Sequence, residues 1–157
     1  MTQVSLDITI AAPPERVWDV ITQVERFPDW FPRLKEVRNP QGEPGTVGST
    51  YEIVYEMPTG QEVEARSEIL EAEPGELIVE RFEVGGNVTG TGRWRLTRQP
   101  GEPATHVDME ADVEMEGGLL ASLAEPAITA AMKHEAQNVV ERFKEVCERQ
   151  HAESTNG

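Results

Sequence analysis

Two patterns of apolar and polar residues divide the chain. From Leu119 to Cys147, apolar residues recur at spacings of three and four, which predicts one long amphipathic helix. From Val47 to Met115, apolar and polar residues alternate instead, which is typical of strands with one buried face. Since the helix and the strands each have an apolar face to bury, we expect a sheet that covers the helix.

Shorter elements precede the alternating region. Alternation from Val4 to Ile10 predicts a first strand, and a short helix is expected from Pro14 to about Thr22. Glu25 to Phe31 gives a second helical turn that ends before Pro32, because a residue before proline disfavours the helical conformation. A short strand is expected at Leu34 to Val37.

Turn-forming residues divide the alternating region into further strands. These are expected at Tyr51 to Met57, Val63 to Ile69, Leu77 to Val84, Val88 to Thr97 and Val107 to Met115. With the two earlier strands, the sheet has seven strands. In the long helix, Pro126 predicts a kink or a restart, because proline has no amide N–H to donate.

Composition limits the possible classes of function. The 157 residues fit one domain, which we expect at residues 1–150, with a disordered tail from His151 to Gly157. The 29 acidic and 14 basic residues give a net charge of -15, which disfavours nucleic-acid binding because it repels phosphate backbones. A single cysteine, Cys147, excludes an intrachain disulfide and a multi-cysteine metal site. No oligomeric state is indicated.

The sequence shows neither the pattern of a secretory signal nor that of a membrane-spanning helix. Residues Met1 to Val17 have no basic segment that leads into an apolar run, as a secretory signal would. No run of about 18 apolar residues is long enough to cross a bilayer. We therefore expect a cytoplasmic, acidic protein without stable membrane insertion.

Three short motifs carry a resemblance to a known family. They are APPERVW at Ala12 to Trp18, FPDWFP at Phe27 to Pro32, and the glycines Gly45 and Gly48 before a long strand. With the order of elements from Val4 to Arg149, the chain resembles the polyketide cyclase/dehydrase and lipid-transport family of the START-like (SRPBCC) superfamily. The resemblance implies an α+β helix-grip fold, in which a seven-stranded antiparallel sheet wraps a long C-terminal helix, two short helices follow strand 1, and an internal cavity remains.

The family includes ligand carriers and cyclases, so the resemblance identifies fold better than function. The sequence has no Walker phosphate loop, no HExxH zinc motif and no GxSxG nucleophile elbow. The glycine-rich stretch from Gly85 to Gly92 lies between two strands, which favours a hairpin over a phosphate-binding loop. We expect a protein that binds or transports a small hydrophobic ligand, such as a lipid, a quinone or a polyketide-like aromatic, without a metal or cofactor. A cyclase or dehydratase and a protein-interaction module are the alternatives.

Candidate ligand-binding residues are those that the alternation and the helical spacing turn towards the interior. They are Trp30, Tyr51, Tyr55, Met57, Glu80, Phe82, Trp94, Met109, Ile128 and Met132. Core packing is the alternative role, and it is favoured for Met57. The two tyrosines differ from the rest, because a buried phenol usually needs a hydrogen-bond partner. No catalytic residue can be assigned.

Glu80 and His134 are the two ambiguous positions. Glu80 shares its side of a strand with Ile78 and Phe82, so regular alternation places its carboxyl among apolar walls and raises its pKa. A bulge or a one-residue slip would instead turn it outward. His134 can reach the cavity edge or face solvent, and three scattered histidines give no metal-ligand spacing.

Overall fold

The computed structural model describes residues 2–56, 60–86, 88–115 and 118–156. At residues 2, 118–129, 131, 132, 155 and 156 it describes the backbone alone. Seven strands form one antiparallel sheet in the order β1-β7-β6-β5-β4-β3-β2. They are β1 Thr2–Ile10, β2 Leu34–Gln41, β3 Thr50–Glu56, β4 Glu62–Glu73, β5 Leu77–Val84, β6 Val88–Arg98 and β7 Thr105–Met115. The strand count and the order of elements agree with the expectation.

Two short helices follow β1, as the sequence predicts. Helix α1, Pro14–Thr22, begins with proline in its first turn, where the missing N–H has no intrahelical partner to lose. The second segment, Val24–Asp29, is a 3-10 helix that contains Pro28. Strand β2 continues to Gln41, four residues beyond the predicted end at Val37, with register shifts against β3 on either side of Glu36 to Arg38.

The long helix α2, Gly118–Asn156, follows the last strand. It is continuous across Pro126. It also includes residues 151–156, for which the sequence predicted a disordered tail. Neither glycine nor proline interrupts this end of the chain before Gly157, and the Ser154 hydroxyl donates to the His151 carbonyl at 3.0 Å, which supports the last turn.

The core lies where the C-terminal half of α2 meets the sheet and α1. Phe143 and Cys147 of α2 are fully buried there with Ile10, Val17 and Val107. Burial raises the pKa of the Cys147 thiol, so this cysteine is a protonated core residue. Within the described ranges, no helix is both long enough and apolar enough to span a membrane.

Candidate functional site

A cavity of about 710 Å³ lies between the sheet and α2. Of the predicted aromatic residues, Trp30, Tyr51, Tyr55, Phe82 and Trp94 line it. Glu80 and Met109 line it as well. Met57 lies outside the described residues, and so do the side chains of Ile128 and Met132. The alternation along β3, β5, β6 and β7 therefore brings the described candidates on these strands to one cavity, which Trp30 reaches from the end of the 3-10 helix. Their role in ligand binding stays a prediction.

Trp30 lines the cavity where the sheet and α2 meet. Its ring lies edge-to-face against Phe27 and Phe143, with centroid separations of 5.1 and 4.9 Å, and 6.3 Å from Trp94. Trp30 therefore both lines the cavity and packs between α2 and the sheet. Among the described polar side-chain atoms, Trp30 Nε1 is buried without a hydrogen-bond acceptor.

Glu80 faces the cavity because β5 keeps its alternation. Ile78 and Phe82 on the same strand also line the cavity. The register shift that could have turned Glu80 outward lies in the neighbouring strand, where β4 has a bulge between Ile69 and Glu71. The sheet therefore holds one carboxyl group on a largely apolar wall.

Tyr51 is the partner of this carboxyl group. Its hydroxyl donates to Glu80 Oε2 at 2.9 Å, although the two residues lie on β3 and β5 with β4 between them. Ser67 is the β4 residue opposite Tyr51, and it is buried and hydrogen-bonded to the phenol. Because serine is small, the Tyr51 side chain can pass over β4 and reach Glu80.

The apolar surroundings shift the ionisation of these groups. Desolvation raises the pKa of Glu80, and the hydrogen bond from Tyr51 opposes this only in part. Desolvation and the nearby Glu80 charge raise the pKa of Tyr51 well above its usual value. Tyr51 and Glu80 keep some accessible surface, but that surface faces the cavity and not bulk solvent. Desolvation also raises the pKa of Tyr55.

Strand β6 leaves space beside Glu80. Gly92 is the residue directly opposite Glu80, and it is buried. A Cβ atom added at Gly92 would lie 3.7 Å from Glu80 Cγ and 3.8 Å from Oε1. Glu80 Oε1 thus lies over a residue without a side chain. Gly92, the last residue of the glycine-rich stretch that the sequence assigned to a hairpin, lines the cavity.

The cavity mouth has a charged pair and a glycine-containing loop. Arg33 Nε donates to Glu135 Oε1 at 3.1 Å, and the two side chains are 40% and 41% exposed. His134 is exposed and lies at the same edge. The loop before β3 borders the cavity at Gly45, whose φ is +80° and whose added Cβ would lie 2.6 Å from Thr22 Cγ2. Only glycine fits this approach to α1.

One cluster outside the cavity has metal-ligand chemistry. Asp7, His106 and Asp108 lie on the outer face of β1 and β7, and their ligand atoms are within 4.8 Å of one another. His106 Nε2 lies 3.4 Å from Asp7 and 3.5 Å from Asp108, while its Nδ1 lies 3.0 Å from the Thr9 hydroxyl. These contacts occupy both ring nitrogens, and the expected absence of a metal site stays a prediction.

Sequence reasoning missed Ser67, Arg33 and Glu135. Ser67 is a polar residue on the apolar side of an alternating strand, so the pattern contained a signal for it. Arg33 and Glu135 are 102 residues apart and gave no such signal.

Comparisons with known proteins agree with this architecture. Similar solved structures include Zhui aromatase/cyclase from Streptomyces sp. R1128, with 20% identity, a TM-score of 0.78 and 94% of each chain covered. They also include a conserved protein from Geobacillus kaustophilus, with 16% identity, a TM-score of 0.78 and 96% and 97% coverage of this chain and that chain. A START superfamily protein from Mycobacterium smegmatis has 18% identity, a TM-score of 0.68 and 98% and 99% coverage.

These identities are low, so the likeness extends to the fold alone. No curated protein sequence matches this chain. The family model "Polyketide cyclase / dehydrase and lipid transport" matches residues 1–148. This match spans nearly the whole chain and agrees with the sheet and the C-terminal helix. The chain belongs to the polyketide cyclase/dehydrase and lipid-transport family.

Proposed function

We propose that this protein binds a small, largely apolar molecule in the cavity between the sheet and α2. The observation that carries the proposal is the cavity itself, whose volume of about 710 Å³ falls within the range of roughly 300–1,000 Å³ that is typical of small-molecule sites. Aromatic walls at Trp30, Phe82 and Trp94 and a small polar group at Tyr51 and Glu80 support it further. Such sites combine apolar walls with few polar contacts.

The test is a fluorescence titration with the neutral apolar dye N-phenyl-1-naphthylamine. We compare the natural protein with Gly92→Leu, which adds an inward side chain beside Glu80, and with Thr91→Leu, which adds the same side chain on the exposed face of β6. Binding should weaken strongly in Gly92→Leu and stay unchanged in Thr91→Leu. Equal dye binding by all three proteins would place the dye outside the cavity and contradict the proposal.

Native mass spectrometry of freshly purified protein gives an independent measurement. A bound apolar compound that can be extracted supports ligand binding. Protein that neither copurifies with a compound nor binds the dye favours the third class, a protein-interaction module.

Glu80 also supports a second candidate function, a cyclase or dehydratase. A carboxyl group with a raised pKa in an apolar cavity is suited to proton transfer, and Tyr51 is placed to orient it. The experiment is to incubate the extracted compound with the protein and with Glu80→Gln. Conversion by the natural protein that is lost in Glu80→Gln supports an enzyme, and an unchanged compound supports binding alone.

A further inference from the structure

The polar group in the cavity has one oxygen atom that is free to contact a ligand. Glu80 Oε2 accepts the hydrogen bond of Tyr51 at 2.9 Å. Within the described part of the chain, Glu80 Oε1 has no hydrogen-bond partner, and it lies over Gly92, where no side chain intervenes. A ligand in this part of the cavity therefore meets Oε1.

The charges around the cavity disfavour a ligand with an anionic group. Among the described lining residues, Arg33 is the cation of fixed charge, and Glu135 at the mouth already pairs with it at 3.1 Å. Glu80 adds an acidic group to the lining, and the chain has a net charge of -15. A ligand carboxylate or phosphate near Glu80 would lose water without gaining a counter-ion.

The hydrogen-bond geometry selects among the remaining ligands. Desolvation favours the protonated form of Glu80, which raises its pKa. In the protonated form of Glu80, the hydrogen bond that Oε2 accepts from Tyr51 leaves Oε1 to carry the acid proton, next to the space over Gly92. A carboxylic acid in this form donates a hydrogen bond, and its complement is an acceptor oxygen such as a ketone, quinone or ester carbonyl.

We infer that the cavity selects an uncharged apolar ligand whose carbonyl oxygen accepts a hydrogen bond from Glu80 Oε1, and that it discriminates against anions of the fatty-acid type. This inference rests on the proposed function, because it specifies the ligand of the same cavity.

The test uses four probes that share a naphthalene ring and differ in one group. They are 2-acetylnaphthalene, its isostere 2-isopropenylnaphthalene, 2-naphthoate and 2-(aminomethyl)naphthalene, each measured at neutral pH by displacement of N-phenyl-1-naphthylamine. Each is measured against the natural protein, Glu80→Gln and Glu80→Leu. Glu83→Leu is the matched control, because it removes a carboxylate from the exposed face of the same strand.

The ketone should bind more than about tenfold tighter than 2-naphthoate, because a buried anion there lacks a counter-ion. In Glu80→Leu, the ketone should weaken by about fivefold relative to the isopropenyl isostere, the factor expected from one net hydrogen bond. Glu80→Gln should keep the ketone-to-isostere ratio within about twofold, because an amide NH₂ can donate from the same position. Glu83→Leu should leave every ratio unchanged.

Several outcomes would overturn the inference. Tighter binding of 2-naphthoate or of the ammonium probe than of the ketone would contradict an uncharged ligand. An unchanged ketone-to-isostere ratio in Glu80→Leu would remove Glu80 from recognition. If Glu80→Leu does not fold, the measurement is instead the ¹³C chemical shift of the carbonyl group of labelled 2-acetylnaphthalene bound to the natural protein. A carbonyl resonance that does not move downfield on binding would contradict the hydrogen bond. If neither the dye nor any probe binds, the proposed function itself fails.

Discussion

Gly90 and Gly92 lie on the same face of β6, two residues apart, but their surroundings differ. A Cβ added at Gly90 would lie 2.7 Å from the Asp112 carbonyl oxygen and closer still to the Phe82 ring. A Cβ added at Gly92 would meet its nearest atoms at 3.7 to 3.9 Å, which is ordinary van der Waals contact. Neither glycine has a positive φ, so alanine can adopt the backbone conformation at both positions.

This difference predicts opposite effects of alanine on stability. Gly90→Ala should destabilise the protein by about 1–3 kcal/mol, because the Asp112 carbonyl belongs to the sheet backbone and cannot move aside alone. Gly92→Ala should be neutral or stabilise the protein by about 0.4–1 kcal/mol, because alanine reduces the entropy of the unfolded chain. For a chain of this size, each kcal/mol shifts the Tm by roughly 2–4 °C.

Urea unfolding followed by tryptophan fluorescence measures both variants, and dye titration gives a second readout. Gly92→Ala should fold at least as well as the natural protein and still bind the dye more weakly, since the added methyl group reduces the space beside Glu80. Equal unfolding midpoints for Gly90→Ala and Gly92→Ala would refute the placement of Phe82 and Asp112 against Gly90. Tighter dye binding by Gly92→Ala would refute the position of the cavity wall.

Three further perturbations test the core, the buried acid and the mouth. Phe143→Ala should lower the unfolding free energy by about 3–5 kcal/mol, because the ring is fully buried against Trp30 and Trp94, and an unchanged urea midpoint would contradict this packing. Glu80 has a raised pKa in the folded protein, so the natural protein should lose stability as the pH rises from the ordinary pKa of 4.5 through the raised pKa. The loss should be about 1.36 kcal/mol for each pH unit between these two pKa values. Glu80→Gln lacks this loss, so its stability relative to the natural protein should increase over the same pH range, and parallel pH curves would show that Glu80 is solvated. Arg33→Gln should change the unfolding free energy by less than about 1 kcal/mol, because the ion pair of Arg33 with Glu135 is exposed. In stopped-flow measurements, the same variant should release the dye at most about fivefold faster. Slower dye release would contradict the position of the Arg33–Glu135 pair at the cavity mouth.

The fold could be predicted from periodicity because its elements differ in period. Alternation along Thr105–Met115 and the three-and-four spacing of α2 each identify a buried face without knowledge of any contact. The bounds were less predictable. Strand β2 extends to Gln41 because pairing with β3 continues past the end of its apolar pattern.

The candidate site was only partly predictable, because its central contact depends on strand register. Alternation could place Tyr51 and Glu80 on one face of the sheet, but it could not join them. Their hydrogen bond needs the small residue Ser67 on the strand between them, and a register across β4 in which Tyr51 pairs with Ser67 and Glu80 pairs with Ile69. A one-residue change in that register would turn Glu80 to the other face.

Glu80 and Gly92 face each other where stability alone would favour two apolar side chains. An inward glutamate on β5 destabilises the folded protein through the desolvation of its carboxyl group. A buried glycine in β6 also lowers stability, because it has no side chain to pack and its backbone loses more conformational entropy on folding than that of other residues. A leucine at either position would fill the space at a lower cost, as apolar side chains do at the fully buried positions of the core. Residues that break the local rule for a stable core are expected at functional sites. Because the two departures are cross-strand partners and open one shared space, we infer that the space beside Glu80 Oε1 is where this protein contacts its ligand.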